Sequence, residues 1–138
     1  MRLEQIRTYL GEDWTRTVEQ MNTALSSDID LLNGINDSIS ANSGKQLRPL
    51  LSVLIGRCCG AGPLGPDSYR CAAAAELLHN ATLLHDDVAD SSDRRRGRPT
   101  LSSLMGSNVS VLVGDYWLVK AVECVLNTEC FSEKIIRG

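Results

Sequence analysis

Residues 69–90 read "YRCAAAAELLHNATLLHDDVAD", an uninterrupted run without glycine or proline. Alanine and leucine, the strongest helix formers, supply most of it. The composition predicts one long helix from about Ser68 to Asp90. At 3.6 residues per turn, Asp86 and Asp90 lie about 40° apart around the axis and one turn above each other. His79, seven residues before Asp86 and eleven before Asp90, falls within about 20° of each. All three therefore project from one stripe.

Like charges one turn apart repel by a few tenths of a kcal/mol at a surface, and by more when desolvated. Asp87 adds a third negative charge beside them. A divalent cation between the carboxylates relieves the repulsion. Mg²⁺ suits the position, because it takes oxygen ligands, accepts only one or two protein carboxylates and completes its octahedron with water and phosphate. Taken alone, His79 is the kind of residue that more often serves as a hydrogen-bonded core histidine, and DDxxD as often marks a solvated helix end. Their meeting on one face of an apolar helix favours a site. His85, one step before Asp86, points elsewhere and is assigned a structural role.

On either side of this helix the pattern stays helical. Leu3, Ile6, Leu10, Trp14, Val18, Met21 and Leu25 recur at helical spacing and predict a helix over about 3–25. "SSDIDLLNGIND" begins with N-cap candidates Ser26, Ser27 and Asp28 and predicts a second, short helix. "SANSGK" is a polar break. "LRPLLSVLIGRCCGA", from Leu47, is an apolar helix with Pro49 in its first turn, where no amide donor is needed. "GAGPLGPD", residues 60–67, interrupts the chain, and "SSDRRRGRPT", residues 91–100, is loop-like. A last apolar helix starts at about Leu101 or Ser107 and ends at Leu126. The alternation in "VSVLVG" could suit a strand, but the run is too long and finds no partner strand. The fold class is all-α, an antiparallel helix bundle, in one domain over 1–138.

The 138 residues are enough for one core, and 43% hydrophobic with 22% charged residues is ordinary for a globular protein. One Phe, three Tyr and two Trp leave the core to aliphatic side chains. A net charge of −3 argues against general nucleic-acid binding. The five cysteines, Cys58, Cys59, Cys71, Cys124 and Cys130, fit neither a disulfide framework nor a zinc site. Free buried thiols in a reducing cytoplasm are expected. "MRLEQIRTYLGEDW" has no apolar leader core, and no apolar run reaches the roughly 18 residues that span a bilayer.

"RRRGRP" follows the carboxylates directly. A charge run is commonly a solvated loop or pairs with nearby acids, and a nuclear-localisation or heparin-type patch is disfavoured in an acidic chain. Arginine forks also grip phosphate oxygens two at a time. A second basic cluster, Lys45 and Arg48 in "SGKQLRP", lies at a helix start, where backbone amides favour anions. Two cationic clusters and one metal-type acidic stripe suggest two phosphorylated substrates.

"SGKQLRP", "ELLHNATLLHDDVADSSDRRRGRPT" and "VSVLVGDYWL", in this order and spacing, closely resemble the N-terminal half of trans-isoprenyl diphosphate synthases, the polyprenyl synthetases. The resemblance covers roughly Ser43 to Lys120. It implies an all-α isoprenoid-synthase fold around a deep cavity, of which this chain is the N-terminal part. It implies that Asp86 and Asp90 hold Mg²⁺ on an allylic diphosphate, with Asp87 adjacent as a third catalytic carboxylate. Arg95 is implied for the allylic diphosphate, and Lys45, Arg48, His79 and Arg96 for isopentenyl diphosphate. Ala81 and Thr82, about a turn before the first aspartate, correspond to the floor of the chain-binding tunnel; their small side chains favour products of twenty carbons or longer. The implied reaction is ionisation of the allylic carbon–oxygen bond, attack by the isopentenyl double bond and loss of a proton.

Two departures stand out. Gln46 replaces a residue that is basic in many members. A second aspartate-rich motif, carried by a later helix in members about twice as long, has no counterpart here, since Asp93 and Asp115 stand alone. Asp115 is expected to be buried and hydrogen-bonded. The chain is therefore expected to be incomplete, inactive alone, and to expose apolar faces that promote a homodimer or heteromer. A non-catalytic helical partner of a full-length synthase is the alternative. Class I terpene cyclases are disfavoured because they lack the Lys45/Arg48 cluster, and an HD-type phosphohydrolase because two histidines are too few.

Overall fold

Proline closes the glycine- and proline-rich interruption before the alanine-rich stretch and starts its helix. In the computed structural model, which describes residues 2–60, 64–129 and 137, this helix is α5, Pro66–Ala89, with Gly65 as N-cap and Pro66 in the first turn. Around it stand α1 (Leu3–Leu10), α2 (Glu12–Leu25), α3 (Asp30–Ala41), α4 (Leu47–Cys59), α6 (Leu101–Met105) and α7 (Ser107–Leu126). Two strands of two residues, β1 (Arg94–Arg95) and β2 (Arg98–Pro99), pair antiparallel between α5 and α6. The all-α class is correct.

Helix α7 returns antiparallel along α5. Ser110, early in α7, donates its hydroxyl to the carbonyl of Leu84, late in α5, at 3.0 Å. At the other end Cys124 feels the charge of Arg70. Small residues set the spacing: a Cβ on Gly114 would stand 2.5 Å from His85 Nε2. Ala74, Leu77, Ala81, Leu84, Val113, Trp117 and Ala121 form the principal core here. The Trp117 indole donates to Asn36 Oδ1 at 2.8 Å, and Asn36 Nδ2 donates to the carbonyl of Leu25 at 3.0 Å. This buried chain ties α7 to α3 and satisfies a carbonyl at the open end of α2.

A second cluster of Leu10, Leu50, Val53 and Ala72 joins the N-terminal helices to α4 and α5. At its edge, buried Asp13 accepts from Arg57 Nε and from the Tyr69 hydroxyl, each at 2.5 Å. Burial raises the pKa of Asp13, but the bonds from Tyr69 and Arg57 outweigh it and hold the carboxyl below its usual value. Burial and the same contact push Tyr69 up to about 12.

Several expectations need correction. The helix over 3–25 is two helices, broken at Gly11, whose φ of 55° L side chains rarely adopt. The short helix after Ser26 begins at Asp30, with Ser27 accepting from the Ile29 amide instead of capping it. Leu101 and Ser107 both start helices, because Gly106, at φ 93°, separates α6 from α7. Cys58 and Cys59 are exposed, Cys71 is half-buried and Cys124 alone of these four is buried; Cys130 lies outside the described residues. Asp115 is exposed, not buried.

Apolar side chains are also left uncovered, as expected. Leu47, Leu51 and Ile55 recur every fourth residue along α4, and Val111, Leu118 and Val122 line an outer edge of α7. Among the described residues no helix is long and apolar enough to cross a membrane.

Candidate active site

An unbroken α5 keeps His79, Asp86 and Asp90 on one helical edge. Asp90 is the C-cap, still close to helical dihedrals (φ −89°, ψ −1°), and its amide donates to the Asp86 carbonyl at 2.8 Å. Both carboxylates are exposed, and among the described residues neither side chain forms a hydrogen bond. Among those residues no three His, Cys, Asp or Glu side chains converge as a closed metal cage. Two free carboxylates on successive turns fit Mg²⁺, which needs few protein ligands when phosphate oxygens supply the rest.

Asp87 behaves differently. Its side chain is 7% exposed, and Oδ1 accepts from Arg95 Nε at 2.9 Å and Nη2 at 2.7 Å. The middle carboxylate thus faces inward and fixes the guanidinium of Arg95. Asp87, Asp86 and Asp90 together raise the affinity of Arg95 for its proton, the Asp87 hydrogen bond most of all. His85 is held by α7, its Nε2 lying 3.2 Å from the Val111 carbonyl and 3.1 Å from Asp115 Oδ1.

The turn between β1 and β2 aims the next arginine. Arg96 and Gly97 have φ of 52° and 75°, the pair of positive values that a type I′ two-residue hairpin turn requires. Arginine is strained there, and such strain gathers at functional sites. Arg96 Nη1 donates to the Asn42 carbonyl at 3.2 Å, and Arg98 donates to the Asn42 side chain. Arg7, from α1, donates to the carbonyl of Lys45 at 2.9 Å. The loop that carries Lys45 is therefore gripped from both sides. Lys45 and Arg48 are exposed, and among the described residues neither side chain is hydrogen-bonded.

Electrostatics ties these pieces into one corner. Burial comes first in lowering the pKa of His79, followed by the charges of Arg48, Arg96 and Arg95. Glu76, one turn earlier on α5, is buried; its Oε1 lies 3.4 Å from Asn80 Nδ2, and its Oε2 has no hydrogen-bond partner among the described residues. Burial raises the Glu76 pKa, against the pull of Asn80, Arg48 and Arg96. His79 thus lies within the field of Arg48, Arg95 and Arg96, and Arg95 within that of Asp86 and Asp90. Ala81 and Thr82 separate: Ala81 is buried in the core with Trp117, while Thr82 is exposed and donates to the His79 carbonyl at 2.7 Å. An open cleft of about 710 Å³ between α3, α5 and α6 reaches Arg95 and Arg96; Asn80, Leu83, Leu84 and Asp87 line it on the side of α5 next to the stripe.

Residues 29–137 match the family model of polyprenyl synthetases. The chain belongs to the polyprenyl synthetase family. It is 37% identical over 129 residues to octaprenyl diphosphate synthase of Haemophilus influenzae, covering 94% of this chain and 39% of that protein. It is 37% identical over 141 residues to geranylgeranyl diphosphate synthase of Mycobacterium tuberculosis, covering 98% of this chain and 40% of that one. Among solved structures, it is similar to a polyprenyl synthase from Caulobacter crescentus, crystallised with calcium and isoprenyl diphosphate. That match has a TM-score of 0.84 at 32% identity, covering 99% of this chain and 42% of the other. The chain therefore spans about two fifths of the length of these family members.

Sequence reasoning passed over Asn42, Gly44, Glu76 and Arg98. Only the glycine in "SGKQLRP" offered a signal, and its partner stands far along the chain. Proximity of that kind is not written in local pattern.

Proposed function

We propose that this chain supplies the diphosphate-binding half of a prenyl diphosphate synthase. On this reading it holds isopentenyl diphosphate and an allylic diphosphate side by side. The observation that carries the proposal is the single corner in which the charges of Arg48, Arg95 and Arg96 meet His79, with Arg95 also within the field of Asp86 and Asp90.

Asp86 and Asp90 would hold Mg²⁺, which supplies positive charge to the leaving diphosphate. Arg95, fixed by Asp87, donates to that diphosphate as its negative charge grows, the moment at which preorganised donors count most. Lys45, Arg48, Arg96 and neutral His79 hold the second diphosphate. Thr82, exposed on the outer edge of α5, is the member of the proposed floor that can meet a growing chain; buried Ala81 sets the packing behind it. Calcium and isoprenyl diphosphate in the Caulobacter structure support this reading. The family resemblance extends the proposal to a cytoplasmic, self-associating protein whose turnover needs the complementary half.

Titration of isopentenyl diphosphate into the chain without metal tests the basic set. Binding weakened about tenfold or more by Arg48→Ala or Lys45→Ala is expected for one lost charge-assisted contact. Binding indifferent to both substitutions contradicts the assignment. A non-catalytic partner role is the second reading, favoured by the bare face of α7.

A further inference from the structure

Gly44 has φ of 77°, and its vacant Cβ position is already taken. A Cβ built there would lie 2.6 Å from Arg96 Nη1, 2.8 Å from Cζ and 3.1 Å from Nη2. The Arg96 guanidinium therefore lies against the bare backbone of the loop that precedes α4. Its one hydrogen bond among the described residues runs from Nη1 to the Asn42 carbonyl. The remaining N–H donors of the fork stay available to an anion.

We propose that Gly44 is a positioning residue whose missing side chain makes the seat for Arg96 and so aligns it with Lys45 and Arg48 as one diphosphate clamp. The inference rests on the functional reading above and adds the device that couples its two basic clusters. Three features set the orientation of the fork. Arg96 sits at positive φ in the hairpin turn. Asn42, at the end of α3, accepts from Arg96 through its carbonyl and from Arg98 through its side chain. Gly44 provides the flat surface beneath. Arg7 steadies the same loop from α1 through the Lys45 carbonyl. The far end of an arginine moves easily, so a methyl at 44 would expel the guanidinium at little cost to packing. The consequence falls on anion binding.

The test is a double-mutant cycle read by calorimetric titration of inorganic pyrophosphate into the chain. Gly44→Ala should weaken pyrophosphate binding about tenfold, the scale of one charge-assisted contact. In an Arg96→Ala background the same change should alter binding less than about twofold, because the seat is empty. The backbone strain of a side chain at positive φ is shared by both backgrounds and cancels. Gly44→Asn, which brings the same Cβ into a conformation asparagine tolerates, serves if Gly44→Ala folds poorly. Equal losses in both backgrounds, or no loss in either, overturn the inference alone. A wild-type chain that takes up no pyrophosphate overturns the functional reading and the inference with it.

Discussion

Replacing Asp87 by Ala should destabilise the chain, whereas replacing Asp86 or Asp90 should not. The three aspartates stand within one turn, yet only Asp87 is buried, and only it is hydrogen-bonded through its side chain among the described residues. Asp87→Ala removes two hydrogen bonds to a cation. Bonds to charged groups contribute about 1.5–3 kcal/mol each when well buried. The Arg95 side chain is 37% exposed and can recover water, which lowers the combined loss to about 2 kcal/mol. For a domain of this size that corresponds to a fall in Tm of roughly 8 °C. Exposed Asp86 and Asp90 repel each other, so Asp86→Ala and Asp90→Ala should shift stability by no more than about 0.5 kcal/mol. Thermal unfolding followed by circular dichroism at low salt, without metal, distinguishes the three variants. Equal stability for all three, or a larger loss at Asp86 than at Asp87, refutes the division between an inward structural carboxylate and two outward ligands.

The lowered pKa of His79 means that the unfolded chain binds a proton more readily than the folded one. Stability should therefore fall as pH drops through about 6.5 and level off below the folded value; the Tm–pH profile of His79→Gln should lose that step. Glu76 has the opposite sign, because its folded pKa is raised: stability is lost as pH climbs above about 4.5. Glu76→Gln should gain stability at pH 8 relative to pH 5, measured by chemical denaturation. The bare edge of α7 should drive self-association visible by analytical ultracentrifugation, and Leu118→Lys with Val122→Lys should reduce it without lowering Tm by more than a few degrees.

The helices were legible because periodicity and composition agree over long stretches, most clearly from Pro66 to Ala89. The stripe of His79, Asp86 and Asp90 followed from the helical period alone. What escaped was set by backbone dihedrals and by distant partners. Gly11 looked like one weak position inside an amphipathic run, and its positive φ split the helix. The hairpin escaped because its strands are two residues long and its turn uses Arg-Gly where Asn-Gly is the usual signal. Asp115 sat in an apolar run and was assigned to the interior, but it lies on the outer side of α7 beside His85. The inward turn of Asp87 depends on Arg95 arriving from the hairpin, which no spacing within α5 could announce.

Calorimetric titration of inorganic pyrophosphate with and without Mg²⁺, on the wild-type chain and on Asp86→Asn/Asp90→Asn, tests the central claim most directly. The account predicts uptake strengthened by Mg²⁺ in the wild type and a loss of that metal-dependent part alone in the double variant, since Lys45, Arg48, Arg95 and Arg96 remain. Mg²⁺-dependent binding that survives the loss of both carboxylates, or no effect of Mg²⁺ on the wild type, would contradict it.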